Sequence, residues 1–227
     1  MRAKNAVHIP FTVAKSAQTL DGKIAARTGR SKWITSTKAR NFARQQRENF
    51  DAIMVGVNTV IKDDPRLTSL NKNHKLLKVI VDSSCRISRQ AQVFAGIKQG
   101  GCLIATTKKA SVRKMNLLAR EGVEVVQCPQ QRDKVNLLWL FQYLYQRGIR
   151  KILIEGGAQL IGEALRLNLV EQMHIYIAPK ILGDEQALNS VVGLKPLDIQ
   201  QGILLKKIKV IPIDQDILVI GNVYRDR

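Results

Sequence analysis

The stretch Lys151-Ile-Leu-Ile-Glu155-Gly156-Gly157 is the clearest indication of the fold of this chain. Its apolar residues follow one another without alternation, which favours a short strand buried on both faces, as in a parallel sheet. Two glycines then turn the chain, and the pattern from residue 158 to residue 169 predicts a helix. A strand, a tight turn and a helix in this order indicate an α/β protein.

Similar short apolar runs recur on either side of this stretch and alternate with helical patterns. Further strands are predicted over residues 11–17, 51–56, 78–82, 102–106 and 123–126, and further helices over residues 36–50, 111–121 and 135–147. The tail changes character, with strands predicted over residues 171–178, 203–213 and 216–224. We therefore predict one α/β domain over residues 1–227, with a mostly parallel central sheet flanked by helices and an antiparallel hairpin at its end.

The composition is that of a globular protein. Hydrophobic residues make up 45% of the 227 residues, and no apolar run reaches the length of a membrane helix. The start of the sequence lacks the apolar stretch of a signal peptide, so the cytoplasm is the expected compartment. The net charge of +19 is large, but the lysines and arginines are spread along the chain and no nucleic-acid-reading motif is visible. A basic surface or anionic ligands explain the charge as well as a nucleic acid does.

The cysteines and histidines give no sign of a metal site. Cys85, Cys102 and Cys128 are widely spaced, and the three histidines are scattered. Neither a disulfide framework nor a metal-ligand spacing is present, so we expect reduced structural thiols and no metal.

Several polar motifs have two readings each. Glu155-Gly156-Gly157 is either a tight turn or a phosphate cradle at a helix N-terminus, and it lacks the dinucleotide-binding glycine fingerprint. Asp63-Asp64-Pro65 is either a turn or a pair of acids for proton transfer. Ser83, Ser84 and Arg86 follow a strand and either bind an anion or only end that strand.

The order of the motifs favours the ligand-binding interpretations, because together the motifs form a pattern that resembles one family. The matching segments are Lys15-Ser-Ala-Gln-Thr-Leu-Asp-Gly-Lys-Ile-Ala25, Gly29-Arg-Ser-Lys-Trp-Ile-Thr35, Arg40, Arg47, Asp51-Ala-Ile-Met-Val-Gly-Val-Asn-Thr-Val60, Asp63-Asp-Pro-Arg-Leu-Thr68, Ile154-Glu-Gly-Gly157, Leu169-Val-Glu171 and Tyr176-Ile-Ala-Pro-Lys-Ile-Leu-Gly183. The sequence closely resembles the reductase domain of the bifunctional riboflavin-biosynthesis deaminase-reductase and its stand-alone archaeal and fungal relatives. The resemblance runs from about residue 10 to about residue 224.

This resemblance implies a dihydrofolate-reductase-like α/β fold, NADPH as the cofactor and a homodimer. The expected reaction reduces the ribosyl group of 5-amino-6-(5-phosphoribosylamino)uracil to a ribitylamino group. The zinc-deaminase signature of the bifunctional members is absent, so the sequence reads as the reductase half alone.

The resemblance also assigns site residues, position by position. The expected cofactor contacts are Ala17, Trp33, Thr59, Asp63, Ser83, Gly157, Ala158, Gln159, Leu160, Ile161, Gly162 and Glu163. The expected substrate contacts are Ser31, Arg47, Leu67 and Glu155. Arg47 would hold the ribose phosphate of the substrate. The charge of Arg86 suits the 2′-phosphate of the cofactor. Asp63 is the candidate for a polar or proton-relay role, and its structural alternative is a helix cap.

Three questions stay open at this level. Leu70 stands where the family has a basic residue, and Arg66, Lys72 or Lys75 could replace it. The substrate could instead be the 2,5-diamino compound that archaeal and fungal relatives reduce, and a dihydrofolate-type reductase shares the same fold. A nucleic-acid binder driven by the basic charge is the alternative outside enzymes.

Overall fold

The computed structural model describes residues 8–224, and within them nine strands form one sheet in the order β12-β13-β10-β1-β9-β3-β4-β5-β6. In chain order the elements are β1 (Phe11–Thr19), β2 (Lys23–Ala25), α1 (Thr37–Gln46), β3 (Ala52–Gly56), α2 (Val57–Asp63), β4 (Leu77–Val81), α3 (Ile97–Gly100), β5 (Cys102–Thr106), α4 (Val112–Arg120), β6 (Glu124–Gln127), β7 (Gln130–Gln131), β8 (Lys134–Val135), α5 (Leu137–Gln146), β9 (Lys151–Glu155), α6 (Ala158–Arg166), β10 (Gln172–Ala178), β11 (Leu188–Asn189), β12 (Leu205–Ile213) and β13 (Asp216–Val223).

The sheet is parallel from β10 to β6, and β13 and β12 add an antiparallel edge. Its central strands carry apolar residues in succession because both faces are covered, and all five residues of β5 are buried. The predicted fold class, including the terminal hairpin, is confirmed.

Helices pack on both faces of the sheet. On one face, Phe141 of α5 and Ile161 of α6 pack against β9 and β3 in a large apolar cluster. On the other face, Leu118 of α4 and Val60 of α2 pack against a second cluster. Helix α1 covers β10 and β13 through Ala39 and other small or apolar side chains. The helices cover the two faces of the sheet, and the parallel strands all end at the same edge. The loops that follow these strands therefore lie together at that edge, where ligands of α/β proteins bind.

Helix α2 is the main element that the sequence pattern did not predict. Its seven residues begin directly after β3 at Val57 and include the β-branched Thr59, Val60 and Ile61, which favour a strand locally. Tertiary packing of Val57 and Val60 in the core overrides that preference.

Two predicted helices end earlier than expected. Helix α1 ends at Gln46 and continues as a 3₁₀ turn over Arg47–Asn49, while α6 ends at Arg166, close before Asn168 with its φ of 56°. A residue in the left-handed region ends a helix because the helical hydrogen-bond pattern cannot continue through it.

None of the helices in the described part of the chain is long and apolar enough to cross a membrane. The three cysteines are free and buried. Burial raises the pKa of Cys102 to about 12, and it raises the pKa of Cys128 equally, so neither is a ready thiolate.

Candidate functional site

A large cleft of about 960 Å³ opens along the carboxyl edge of the parallel strands. Residues that follow β3, β4 and β9 line it, together with β1 and the segment between β2 and α1. Ligands of open α/β sheets bind at this edge. Thirteen of the sixteen predicted site residues line the cleft: Ala17, Ser31, Trp33, Thr59, Asp63, Ser83, Glu155, Gly157, Ala158, Gln159, Leu160, Ile161 and Glu163.

The turn between β9 and α6 presents backbone to the cleft. Gly156 and Gly157 have φ angles of 105° and 85°, which side-chain-bearing residues rarely adopt. Gly157 precedes the first turn of α6, and no side chain caps that turn. The exposed N–H groups and the helix dipole therefore favour an anion here, as the phosphate reading of this motif requires.

Helix α2 forms the wall opposite this turn. Thr59 approaches both glycines, since a Cβ atom on Gly156 would lie 3.6 Å from its Oγ1. Asp63 is the last residue of α2, and its Oδ1 accepts a hydrogen bond of 2.7 Å from Ser31 Oγ. The alternative of Asp63 as a helix cap is wrong: the C-cap is Asp64, with φ of 41°, and the Asp63 carboxylate faces the cleft.

Ser83 lies at the far end of the cleft, after β4. Its Oγ accepts a hydrogen bond of 3.1 Å from the backbone N–H of Val135, so the β7–β8 hairpin packs against this loop. Arg86 also lines the cleft and donates to Asn58 Oδ1 at 2.7 Å. Lys134 of the hairpin lines the same end, which therefore carries two cations from separate elements.

A buried charged group lies at the other end, below Glu155. The Arg47 guanidinium donates two parallel hydrogen bonds to the Glu155 carboxylate, each 2.8 Å long, and a third to Thr68 O at 2.6 Å. The two side chains of the pair are only 12% and 9% exposed. Burial alone would raise the pKa of Glu155, but Arg47 and Lys15 hold it below its ordinary value, so Glu155 is a carboxylate.

Lys15 belongs to this group, although the sequence analysis did not assign it to the site. It lies on β1 directly beside Glu155 in the sheet register, lines the cleft, and has its ammonium 5.4 Å from the centre of the Tyr176 ring. Burial lowers the pKa of Lys15, and the Glu155 carboxylate opposes part of that change. A lysine in the middle of a buried strand is a signal that could have identified it, because such a side chain needs a polar surrounding.

Three predicted contacts do not line the cleft. Gly162 lies on the inner side of α6, where a Cβ atom would come within 1.8 Å of Val192 O, so glycine is needed there for packing. Leu67 is 5% exposed and packs in the core. Arg47 is committed to Glu155 and Thr68, and its assignment to a ribose phosphate stays a prediction that this geometry does not support.

None of the three basic residues proposed to compensate for Leu70 lies in the cleft. Leu70 itself is 45% exposed, and Arg66 donates to Gln92 Oε1 on the surface. Arg66, Lys72 and Lys75 are all absent from the lining of the cleft. Among the described residues, no group of three or more His, Cys, Asp or Glu is arranged to hold a metal ion.

Comparison with known proteins agrees with the fold. Residues 10–219 match the family described as RibD C-terminal domain. A riboflavin biosynthesis protein RibD of Actinobacillus pleuropneumoniae is 37% identical over 92% of this chain and 56% of its own length. A chloroplastic riboflavin biosynthesis protein PYRR of Zea mays is 34% identical over 95% of this chain and 34% of its own length.

Among solved structures, RibD of Acinetobacter baumannii superposes with a TM-score of 0.79 at 26% identity, over 95% of this chain and 58% of that one. The chain thus spans between a third and a little over half of these relatives. The match over nearly all of the chain confirms the family that the motifs predicted: the chain belongs to the RibD C-terminal domain family.

Proposed function

We propose that this protein is an NADPH-dependent oxidoreductase that reduces the ribosyl group of 5-amino-6-(5-phosphoribosylamino)uracil to the ribitylamino product. The observation that carries the proposal is the two-ended cleft. One end, after β4, offers Ser84 and Arg86 for a phosphate, and the other, at β1 and β9, offers Lys15 and Glu155 for a polar ring and sugar. The two glycines and the uncapped N-terminus of α6 follow directly after Glu155 and suit the diphosphate of a cofactor. A reductase of this family needs a nicotinamide cofactor, and a cleft of about 960 Å³ has room for two ligands.

The described residues fit a dinucleotide. Backbone N–H groups at Gly157 and in the first turn of α6 suit the diphosphate, while Trp33 and Asp63, two of the predicted cofactor contacts, line the same cleft. Ser84, Arg86 and Lys134 suit an extra phosphate on the adenosine ribose, since they combine a hydroxyl with two cations. This arrangement supports NADPH over NADH.

When bound, the reduced nicotinamide supplies the hydride for C1′ of the substrate, and the protein supplies orientation and charge. The ribose opens to an imine between C1′ and the pyrimidine amine, and the imine takes up one hydride and one proton to become the ribitylamino group. We propose two side chains that line the cleft as sources of the proton. Asp63 is the predicted one, and Lys15 is the second because its lowered pKa makes its ammonium a better acid.

Lys15 also favours the uracil compound over the 2,5-diamino compound. The two compounds differ in one ring substituent, which is a carbonyl in the first and an amino group in the second. A lysine ammonium donates hydrogen bonds and accepts none, so it suits the carbonyl. The Arg47 guanidinium neutralises Glu155 and leaves Lys15 free to act on the ligand.

The test is NADPH oxidation with both compounds. The wild type should prefer the uracil compound, and Lys15→Met should remove most of that preference. An enzyme that oxidises NADPH only with dihydrofolate, or with neither pyrimidine, would contradict the proposal. A gel-shift assay with RNA or DNA at several salt concentrations tests the remaining alternative, a nucleic-acid binder. Only the basic charge supports that alternative.

We further propose a homodimer through the apolar side of the β10, β12 and β13 region. The register places Ile175, Ile177, Val210 and Ile217 on one face of the sheet, and Val210 and Ile217 are 59% and 42% exposed. A contiguous apolar surface of this kind is typical of a protein interface, and two-fold symmetry is the commonest closure. Light scattering that gives only the 25.5 kDa monomer at micromolar concentration would contradict this proposal.

Residues 1–227 are proposed to be one domain, because the first and the last strands of the described chain belong to the same sheet. The cytoplasm remains the proposed compartment, which three free, buried cysteines support.

A further inference from the structure

The segment from Ser31 to Ser36 carries Trp33 into the cleft, yet it has little packing of its own. The Trp33 side chain is 64% exposed, so the apolar core does not fix it. An exposed aromatic ring that must meet a ligand at a defined place needs some other restraint, because misplacement by about 1 Å can cost about 100-fold in rate.

Lys180, which follows β10, provides the first restraint. Its Nζ donates to Trp33 O at 2.9 Å and to Ile34 O at 2.7 Å. Lys180 is exposed and does not line the cleft, so these two carbonyls are the contacts that give it a role near the site. One ammonium on two successive carbonyls fixes the direction of both peptide groups.

Arg40 of α1 provides the second restraint. Its guanidinium lies 4.2 Å from the centre of the Trp33 ring, within the range of a cation–π interaction. The same group donates to Thr35 O at 2.5 Å and to Thr37 Oγ1 at 2.8 Å. It therefore holds the ring and the backbone of the segment at once.

Asp216, at the start of β13, provides the third restraint. It is 2% exposed, and its Oδ2 accepts a hydrogen bond of 2.7 Å from the Ser36 backbone N–H. Side chains from α1, from the residues after β10 and from β13 thus converge on four consecutive residues, 33–36.

We propose that Lys180, Arg40 and Asp216 form a clamp on residues 33–36 that fixes the Trp33 indole in the cleft and makes these three side chains positioning residues for the bound cofactor. The restraint on Trp33 stands on the geometry alone. Its consequence for the cofactor rests on the proposed function.

The test uses Lys180→Met, because Lys180 is exposed and its loss does not endanger the fold. The sequence of 227 residues has two tryptophans, so a Trp139→Phe background leaves Trp33 as its fluorescent reporter. Lys38→Met is the matched control: it removes a lysine of the same region whose partner is Asp214, at 3.0 Å, and not the segment. Lys180→Arg restores a donor for the two carbonyls.

In the absence of any cofactor, Lys180→Met should lower the fluorescence anisotropy of Trp33, while Lys38→Met and Lys180→Arg should leave it near the wild-type value. With cofactor, Lys180→Met should raise KM for NADPH about 10-fold with a smaller effect on KM for the pyrimidine. Unchanged anisotropy in Lys180→Met would overturn the clamp, and so would equal changes in Lys38→Met.

The two proposals fail separately. A wild type that does not bind NADPH, with the anisotropy change still present, would overturn the proposed function and leave the restraint on Trp33 standing. A wild type that binds NADPH, with KM unchanged in Lys180→Met, would overturn the role of the clamp in cofactor positioning.

Discussion

Arg47→Ala is the substitution whose effect follows most directly from the structure. The Arg47–Glu155 pair is bidentate and its two side chains are 12% and 9% exposed, so it belongs to the buried class of ion pairs. Removal of one partner from a buried pair costs about 3 to 5 kcal/mol, because the other charge is left uncompensated. For a protein of this size, 1 kcal/mol corresponds to about 2 to 4 °C in Tm, so we expect Tm to fall by about 6 to 20 °C.

The pH dependence of this loss has a defined sign. In the wild type the pKa of Glu155 is held below its ordinary value of 4.5, so its contribution to stability is present above that value and is lost as pH falls through the folded-state pKa. Without Arg47, burial raises the pKa of Glu155, and the buried carboxylate destabilises the protein above pH 4.5. The difference between wild type and variant should therefore shrink as the pH is lowered through this range.

The assay is thermal unfolding followed by circular dichroism at several pH values. Arg27→Ala is the control, because Arg27 makes an equally bidentate pair with Asp184 but is 59% exposed, and its loss should leave Tm nearly unchanged. In activity assays, Arg47→Ala should lower kcat/KM by the same factor for the phosphorylated and the dephosphorylated substrate. If activity falls only with the phosphorylated substrate and Tm is unchanged, Arg47 binds the phosphate and its role as the neutralising partner of Glu155 is wrong.

Three further predictions concern other parts of the molecule. Gly162→Ala should lower the free energy of unfolding by about 1 to 3 kcal/mol in urea, because its Cβ atom would lie 1.8 Å from Val192 O. Gly56→Ala is the control and should lower it less, because the nearest atom to its Cβ would be 4.0 Å away. Equal losses in the two variants would contradict the packing argument. A thiol reagent at pH 8 should label none of the three cysteines until the protein is unfolded, because all are buried and the pKa of two of them is about 12; labelling in the native state would refute this. Ser83→Asp should raise KM for NADPH more than KM for NADH, as a carboxylate at that end of the cleft repels the extra phosphate; an equal effect on both cofactors would place the 2′-phosphate elsewhere.

Local patterns were sufficient for the nine strands of the main sheet and for most helices, but not for the short strands β2, β7, β8 and β11. Runs such as Lys151–Glu155 and Cys102–Thr106 are buried on both faces, so their composition alone identifies them. Helix α2 was not predictable in this way, because its β-branched residues favour a strand and only the core packing of Val57 and Val60 makes it a helix.

The site was predictable as a set of positions but not as a set of contacts. The motif match placed Glu155, Gly157 and Asp63 in the cleft, while the pairing of Arg47 with Glu155 joins residues 108 apart in sequence and depends on the 3₁₀ turn after α1. For the same reason the motif match assigned Arg47 and Gly162 to ligands, although one neutralises a buried carboxylate and the other permits close packing. Lys15 and Lys180 stood within the recognised motifs, and only the three-dimensional arrangement shows what they contact.

The most direct test of the central claim is the hydride transfer itself. Purified protein is mixed with 5-amino-6-(5-phosphoribosylamino)uracil and NADPH that carries deuterium at the transferable position of the nicotinamide, and the product is analysed by mass spectrometry and NMR. The two-ended cleft predicts a ribitylamino product with one deuterium at C1′ and an equal amount of oxidised cofactor. Oxidation of the cofactor without deuterium at C1′, or no turnover of this compound under conditions in which NADPH binds, would contradict the assignment.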